Sequence, residues 1–217
     1  MKKKQLLKIE LPRVTSNLPV IQLPDQLEDE DSFSSGKVIE HVIAPQSAAK
    51  LRFDQVIFEQ VSFENVSFHN MELMDVIFNK CNLSNADFRD AIIHRVEFNQ
   101  SKLTGSNFSG STIRNVTINE CMANYSTFGF SSCRQLQFKD TPLIQSDFYE
   151  STFKQVLFKT CLMDGVNFAE TSLNGIDLSD CSFDHLTVSL DKLAGCTVTP
   201  DQAVGLSKIL GLIVKDQ

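Results

Sequence analysis

The chain has 217 residues and a formal charge of -7, from 27 acidic and 20 basic side chains. At 42% hydrophobic and 22% charged it has the make-up of a folded chain, and its length suits one domain or a domain with an arm. A net acidic chain is a poor direct ligand for nucleic acid or an anionic membrane, and no run of 18 apolar residues is present to span a bilayer.

The first predicted element is an irregular N-terminal arm or cap, residues 1–50, broken by Pro12, Pro19, Pro24 and Pro45. Met1-Lys2-Lys3-Lys4 has the charge of a signal-peptide n-region. Lys8, Glu10 and Arg13 interrupt the next ten residues, so no h-region forms and a cytoplasmic location is expected. Glu28-Asp29-Glu30-Asp31 reads as a solvated turn. Val38, Ile43 and Ala48 keep the phase of the next segment and are read as a partial first rung.

Residues 51–200 repeat every five residues. Stepping by five from Phe53 through Phe58, Phe63, Phe68 and Leu73 to Val198 gives 30 consecutive stops without a polar residue. Fifteen of the 17 Phe sit on this comb, leaving Phe33 and Phe130 off it. Two residues before each stop the chain is mostly small or β-branched, as at Val56, Ala86, Ser106 and Val116, and the other three positions are mainly polar. A period of five matches neither a helix nor a plain strand. It matches a coil with one pentad per side and four sides per 20-residue rung, the rungs stacking at the ~4.8 Å strand spacing.

The last element, residues 201–217, reads as a cap. Thr199 is placed to cap a helix that begins at Pro200, with Gln202 at its third position and Gly211 past its end. The helix is expected to run to about Leu210, with Ala203, Leu206 and Leu210 on one face. Val204, Leu206, Ile209, Leu210, Leu212, Ile213 and Val214 are more apolar than plugging a rod requires, so this module is expected to meet a second copy.

Catalytic signals are weak. Gly105 to Thr112 nearly matches a P-loop, but Ser111 stands where the lysine is needed. Cys81, Cys121, Cys161 and Cys181 fall on the same side of the coil at the small inward position and read as reduced core fillers. The four His are scattered, the carboxylates face solvent, and a filled rod has no pocket to desolvate an acid; neither a cofactor nor a metal is called for, and an enzyme is not expected.

Charge is unevenly spread. Residues 140–191 hold nine acids, among them Asp140, Asp147, Glu150, Asp164, Glu170, Asp177, Asp180 and Asp184, against Lys154 and Lys159. Grouping pentads by side, the Phe68 side nets -4, the Phe58 side -3, the Phe63 side -2 and the Phe53 side +2, with Arg95, Arg114, Arg134 and Lys154 climbing the last. The acidic half adjoins the C-terminal module. Two copies joined there would form an acidic stretch comparable with B-DNA, which carries roughly one charge per 1.7 Å. Tyr125, Phe130, Ile144 and Tyr149 lie outside by phase, and either the arm covers them or a partner does.

Units such as Ala86-Asp87-Phe88-Arg89-Asp90 and Val166-Asn167-Phe168-Ala169-Glu170 resemble the signature of pentapeptide-repeat proteins. The resemblance implies an all-β solenoid, a right-handed quadrilateral β-helix, here with a short C-terminal α-helical cap. Within that family the length, the Phe-rich comb, the N-terminal segment and the tail from Thr199 to Val214 are similar to the quinolone-resistance group, the Qnr and MfpA proteins. That implies a homodimeric DNA mimic, binding DNA gyrase and topoisomerase IV through the acidic patch and protecting them from fluoroquinolones, without binding nucleic acid itself. The loops that interrupt the repeat in many relatives are missing from this unbroken comb. The rival reading is a scaffold that binds some other protein through its sides.

Overall fold

The structure is a computed structural model that describes residues 8–15, 17–207, 209 and 211–215. Seven eight-residue strands recur at 20-residue intervals: β1 (Ser32–Ile39), β2 (Arg52–Glu59), β3 (Glu72–Asn79), β4 (Ile92–Asn99), β5 (Thr112–Asn119), β6 (Ser132–Lys139) and β7 (Thr152–Lys159). They form one parallel sheet in chain order, each residue lying on the one 20 positions ahead, as Phe58 on Phe78 and Arg114 on Arg134. Two short strands, β8 (Val166–Phe168) and β9 (Leu186–Val188), and a ladder of single bridges complete the other sides.

One left-handed residue per pentad makes the corners. From Lys50 to Gly175 every fifth residue has φ between +49° and +80°. Each of β1–β7 therefore bends at its fourth residue, Gln55 in β2 and Asp75 in β3, and spans two sides. Most corner residues are Asn, Asp, Gln, Glu or Gly, types that tolerate this region best or lose no packing in it. Beyond Gly175 the corners lapse until Gly195, and Phe183, Val188, Leu193 and Val198 are only partly buried, so the coil loosens toward its C-terminal end.

The comb fills the interior. Phe rings stack along the axis at the rung spacing: Phe78 on Phe98 at 4.8 Å, Phe108 on Phe128 at 5.1 Å and Phe128 on Phe148 at 5.0 Å. Neighbouring sides meet edge to face, as in Phe128 against Phe138 at 5.5 Å. Small inward hydroxyls donate to carbonyls of the preceding rung, Ser106 Oγ to Leu83 O at 2.6 Å, so the polar fillers are satisfied. Cys121 and Cys133 occupy the same interior, where burial pushes their thiols up to about 12.

Phe33 corrects the comb. It lies 20 residues before Phe53, in phase, and stacks on it at 5.3 Å. β1 is therefore a full strand of the coil, and Val38, Ile43 and Ala48 are buried along the same rung, which carries the solenoid N-terminally of residue 51.

At the other end, α1 (Pro200–Ser207) closes the coil. Thr199 Oγ1 accepts from Gln202 N at 3.2 Å and Gln202 Oε1 accepts from Thr199 N at 2.8 Å, a reciprocal capping box. Gln202 is the buried residue of the helix, and its amide donates to Leu178 O and Cys181 O. A polar plug thus seals the last rung, while Ala203, expected on the inner face, is exposed.

Candidate functional site

The rod offers surfaces rather than a cleft. Its hollows are shallow, and among the described residues no group of three or more His, Cys, Asp or Glu converges to hold a metal ion. The functional groups are arranged by side and by corner.

The arm claims one corner. Residues 8–13 run along the corner between the Phe53 and Phe58 sides, toward the first rung. Gln135 Nε2 donates to Lys8 O at 2.8 Å, Glu10 N to Asn115 Oδ1 at 3.1 Å, and Arg13 N to Asp75 Oδ1 at 2.9 Å. Farther along, Ile21 N bonds Lys37 O at 2.8 Å, and the Ile21 side chain fills the space beside Gly36. Under this strap Asp75 is 4% exposed and is held by both Arg95 Nε and Nη2, the latter at 2.6 Å. Burial pushes the Asp75 carboxyl up. The Arg95 guanidinium and the Arg13 N–H outweigh it and hold the carboxyl below its usual value.

That pair alters the basic stripe. Arg95 stands at a corner, turned into Asp75, and is withdrawn from the surface. Arg114, Arg134 and Lys154 lie one on another across β5, β6 and β7 and stay exposed.

The eight acids do not share one face. Asp140, Asp177 and Asp180 belong to the Phe58 side, where Asp140 lies 3.6 Å from Lys139 Nζ. Asp164 and Asp184 lie on the Phe63 side. Asp147, Glu150 and Glu170 lie on the adjoining Phe68 side. These five are the sharper patch, because the pentads of those two sides hold no Lys or Arg from residue 121 to residue 190. Several also brace the coil. Asp147 Oδ1 accepts from Asn167 Nδ2 at 2.8 Å, Asp164 Oδ1 from His185 N at 2.9 Å, and Glu170 Oε1 from Ser189 Oγ at 2.9 Å.

In the C-terminal module Val204, Ile209, Leu212, Ile213 and Val214 are exposed, whereas Leu206 packs partly on the core. Leu210 lies outside the described residues.

Two outward groups are only partly foreseen by phase. Tyr125 and Phe130 are not under the described residues of the arm, which take a different corner, and they stand 56% and 61% exposed. Met122 and Leu162, which the polar-outside rule misses, are also exposed, on the Phe63 side. Their signal in the sequence is an outward position that turns apolar in consecutive rungs.

Models of the pentapeptide repeat match the chain twice, one described as a pentapeptide repeat region over residues 51–128 and one as pentapeptide repeats in eight copies over residues 161–189. No curated protein matches. Among solved structures, the chain is similar to a trypsin-treated variant of QnrB1, a plasmid-mediated fluoroquinolone resistance protein, at 16% identity over 85% of this chain and 100% of that one, with a TM-score of 0.35. It is also similar to HetL, a pentapeptide repeat protein involved in heterocyst differentiation regulation from the cyanobacterium Nostoc sp. strain PCC 7120, at 8% identity over 79% and 86%, with a TM-score of 0.31. Scores this low carry no argument, and the family rests on the repeat itself. No helix among the described residues is long and apolar enough to cross a membrane. With its unbroken five-residue comb, its 20-residue parallel rungs and its left-handed corners, the chain belongs to the pentapeptide-repeat proteins.

Proposed function

We propose that this protein is a DNA mimic that binds type II topoisomerases, DNA gyrase and topoisomerase IV, and protects them from fluoroquinolones. One observation carries the reading. Five carboxylates stand on two adjoining sides of the rod whose pentads hold no Lys or Arg over residues 121–190, and of these five Lys192 reaches only Glu170, at 4.0 Å, from the next side. The rest of the acidic half contributes less, because Asp140 is countered by Lys139 and the remaining sides carry Arg134, Lys154 and Lys159. The patch runs up to the C-terminal module, whose exposed Val204, Leu212, Ile213 and Val214 suit pairing with a second copy. A dimer joined there would set two acidic stretches end to end, long enough to lie in a groove built for DNA.

The test is gyrase supercoiling poisoned by ciprofloxacin, with this protein titrated in. Rescue at or below equimolar protein is expected. Replacing Asp147, Glu150, Asp164, Glu170 and Asp184 with Asn or Gln should weaken it, with the β-rich circular dichroism unchanged. Absence of rescue for both gyrase and topoisomerase IV at every dose would sink the proposal. Rescue by the charge-stripped protein equal to that by the native chain would show that these acids are not the contact.

A further inference from the structure

On the Phe63 side the second position of each pentad is an outward column. It reads Val42 in the first rung, then Ser62, Asn82 and Lys102, then Met122, Pro142 and Leu162, then Ser182. Bridges tie Lys102 to Met122 and Leu162 to Ser182, so these residues are stacked neighbours along the rod. Three successive rungs thus break the polar-outside rule that the rungs on either side obey. Met122 is 49% exposed and Leu162 52%.

The next corner departs in the same rungs. Tyr125 has φ +60° in a column otherwise made of Asn65, Asn85, Gly105, Gln145 and Gly165. Phe130, at φ +59°, does the same one corner on, in a column with Asn70, Asp90 and Gly110, and its ring meets Tyr149 edge to face at 5.4 Å. Bulky residues held in the left-handed region at exposed corners contribute nothing to the core.

Acids frame this apolar cluster. Asp164 and Asp184 continue the Phe63 side toward the cap, and Asp147 and Glu150 lie beside Tyr149. A surface that only imitated a phosphate backbone would need charge and no aliphatic side chains. We propose that the two adjoining sides carrying Met122, Tyr125, Leu162 and the Phe130–Tyr149 pair, centred on the Tyr125 corner, dock on a protein surface that offers an apolar recess rimmed by Lys and Arg. The inference rests on the topoisomerase reading for the partner's identity. It adds that the carboxylates steer the encounter while the apolar corner holds the complex. A second copy of this chain does not fit, because it would set five acids against five. The described part of the chain's own arm is bound along a different corner, residues 8–13 lying at Asp75, Asn115 and Gln135.

The test compares three full-length proteins for binding to gyrase and to topoisomerase IV by surface plasmon resonance at two salt concentrations. One is native. One carries Met122→Ser, Tyr125→Asn and Leu162→Ser, residues these columns already use elsewhere, so the coil is kept. One carries Asp147→Asn, Asp164→Asn and Asp184→Asn. The apolar variant should bind at least about tenfold more weakly, through faster dissociation and with the native salt dependence. The acid variant should associate more slowly and lose salt dependence. An apolar variant that binds within twofold of native, while the acid variant binds poorly, overturns the docking corner and leaves the topoisomerase reading standing. Native protein that binds neither enzyme overturns that reading itself. Sedimentation showing that the apolar variant alone loses self-association would assign the corner to a second copy and refute the proposal.

Discussion

Asp75 and Arg95 form an ion pair that the arm seals from water, and removing only the carboxylate should release the arm. The informative change is Asp75→Asn. Asn is common at these left-handed corners, so the backbone at φ +56° is not strained, and the side-chain carbonyl can still accept from Arg13 N. The loss is the charge opposite Arg95, whose side chain is 12% exposed. Stranding one member of a buried pair costs about 3–5 kcal/mol when no water reaches it. Here the arm can lift and hydrate the guanidinium, so the effective cost to the closed arm is nearer 2–3 kcal/mol, which raises the open population about 30- to 150-fold. Trypsin cleavage after Arg13 reads that population directly when reclosing outpaces cleavage. The control is Asp75→Asn with Arg95→Gln, which gives this corner residues it already uses at Gln55, Asn115 and Gln135 and strands no charge. The double variant should be cut much more slowly than the single. If the single variant is cut at the native rate, or the double as fast as the single, the buried pair does not hold the arm.

Two more outcomes are expected from the same geometry. The Asp75 carboxyl sits below its usual value in the folded protein, so its contribution is present above the unfolded carboxylate value of about 3.9 and is lost as pH falls through the lower folded value. Melting curves of native and Asp75→Asn proteins should therefore differ at pH 6 and converge toward pH 2; a gap that persists at pH 2 would contradict the assignment. Gln202→Ala removes the Oε1 acceptor of the capping box and the donors to Leu178 O and Cys181 O, while its backbone N–H still reaches Thr199 Oγ1, and should cost about 2 kcal/mol. Hydrogen exchange should speed up around residues 176–183 and α1 while β2–β5 keep their protection; uniform acceleration along the rod would show that the cap is not a local plug.

The repeat is legible in the sequence because one side chain in five has to point inward at every rung, and no insertion disturbs that count between Phe53 and Val198. The cap is legible for a similar reason: Thr199, Pro200 and Gln202 are local chemistry, each within four residues of its partner. Phe33 escapes the count because the comb is counted from Phe53, although Val38, Ile43 and Ala48 carry the same phase back to it. The arm's course has no periodic signal. It is set by three single bonds to Asp75, Asn115 and Gln135, as far as 127 residues along the chain. Arg95 groups with the basic stripe when only its side is known, but its fifth place in the pentad turns it toward Asp75 and away from Arg114. The acids of residues 140–191 spread over three sides, and summing each side over its whole length conceals that, past residue 120, only two sides hold no Lys or Arg of their own.

The corners make insertions and deletions act on this molecule in two separate ways. Twenty residues added or removed amount to one whole turn, which slides every later side chain by about 4.8 Å along the axis without changing the direction it faces. Five residues amount to one corner, which turns everything beyond it by a quarter of a circle and lifts it by only about 1.2 Å. Length therefore works as a ruler and pentad number as a dial. The unbroken run of corners from Lys50 to Gly175 keeps both settings fixed between the arm's anchor at Asp75 and the apolar corner at Tyr125.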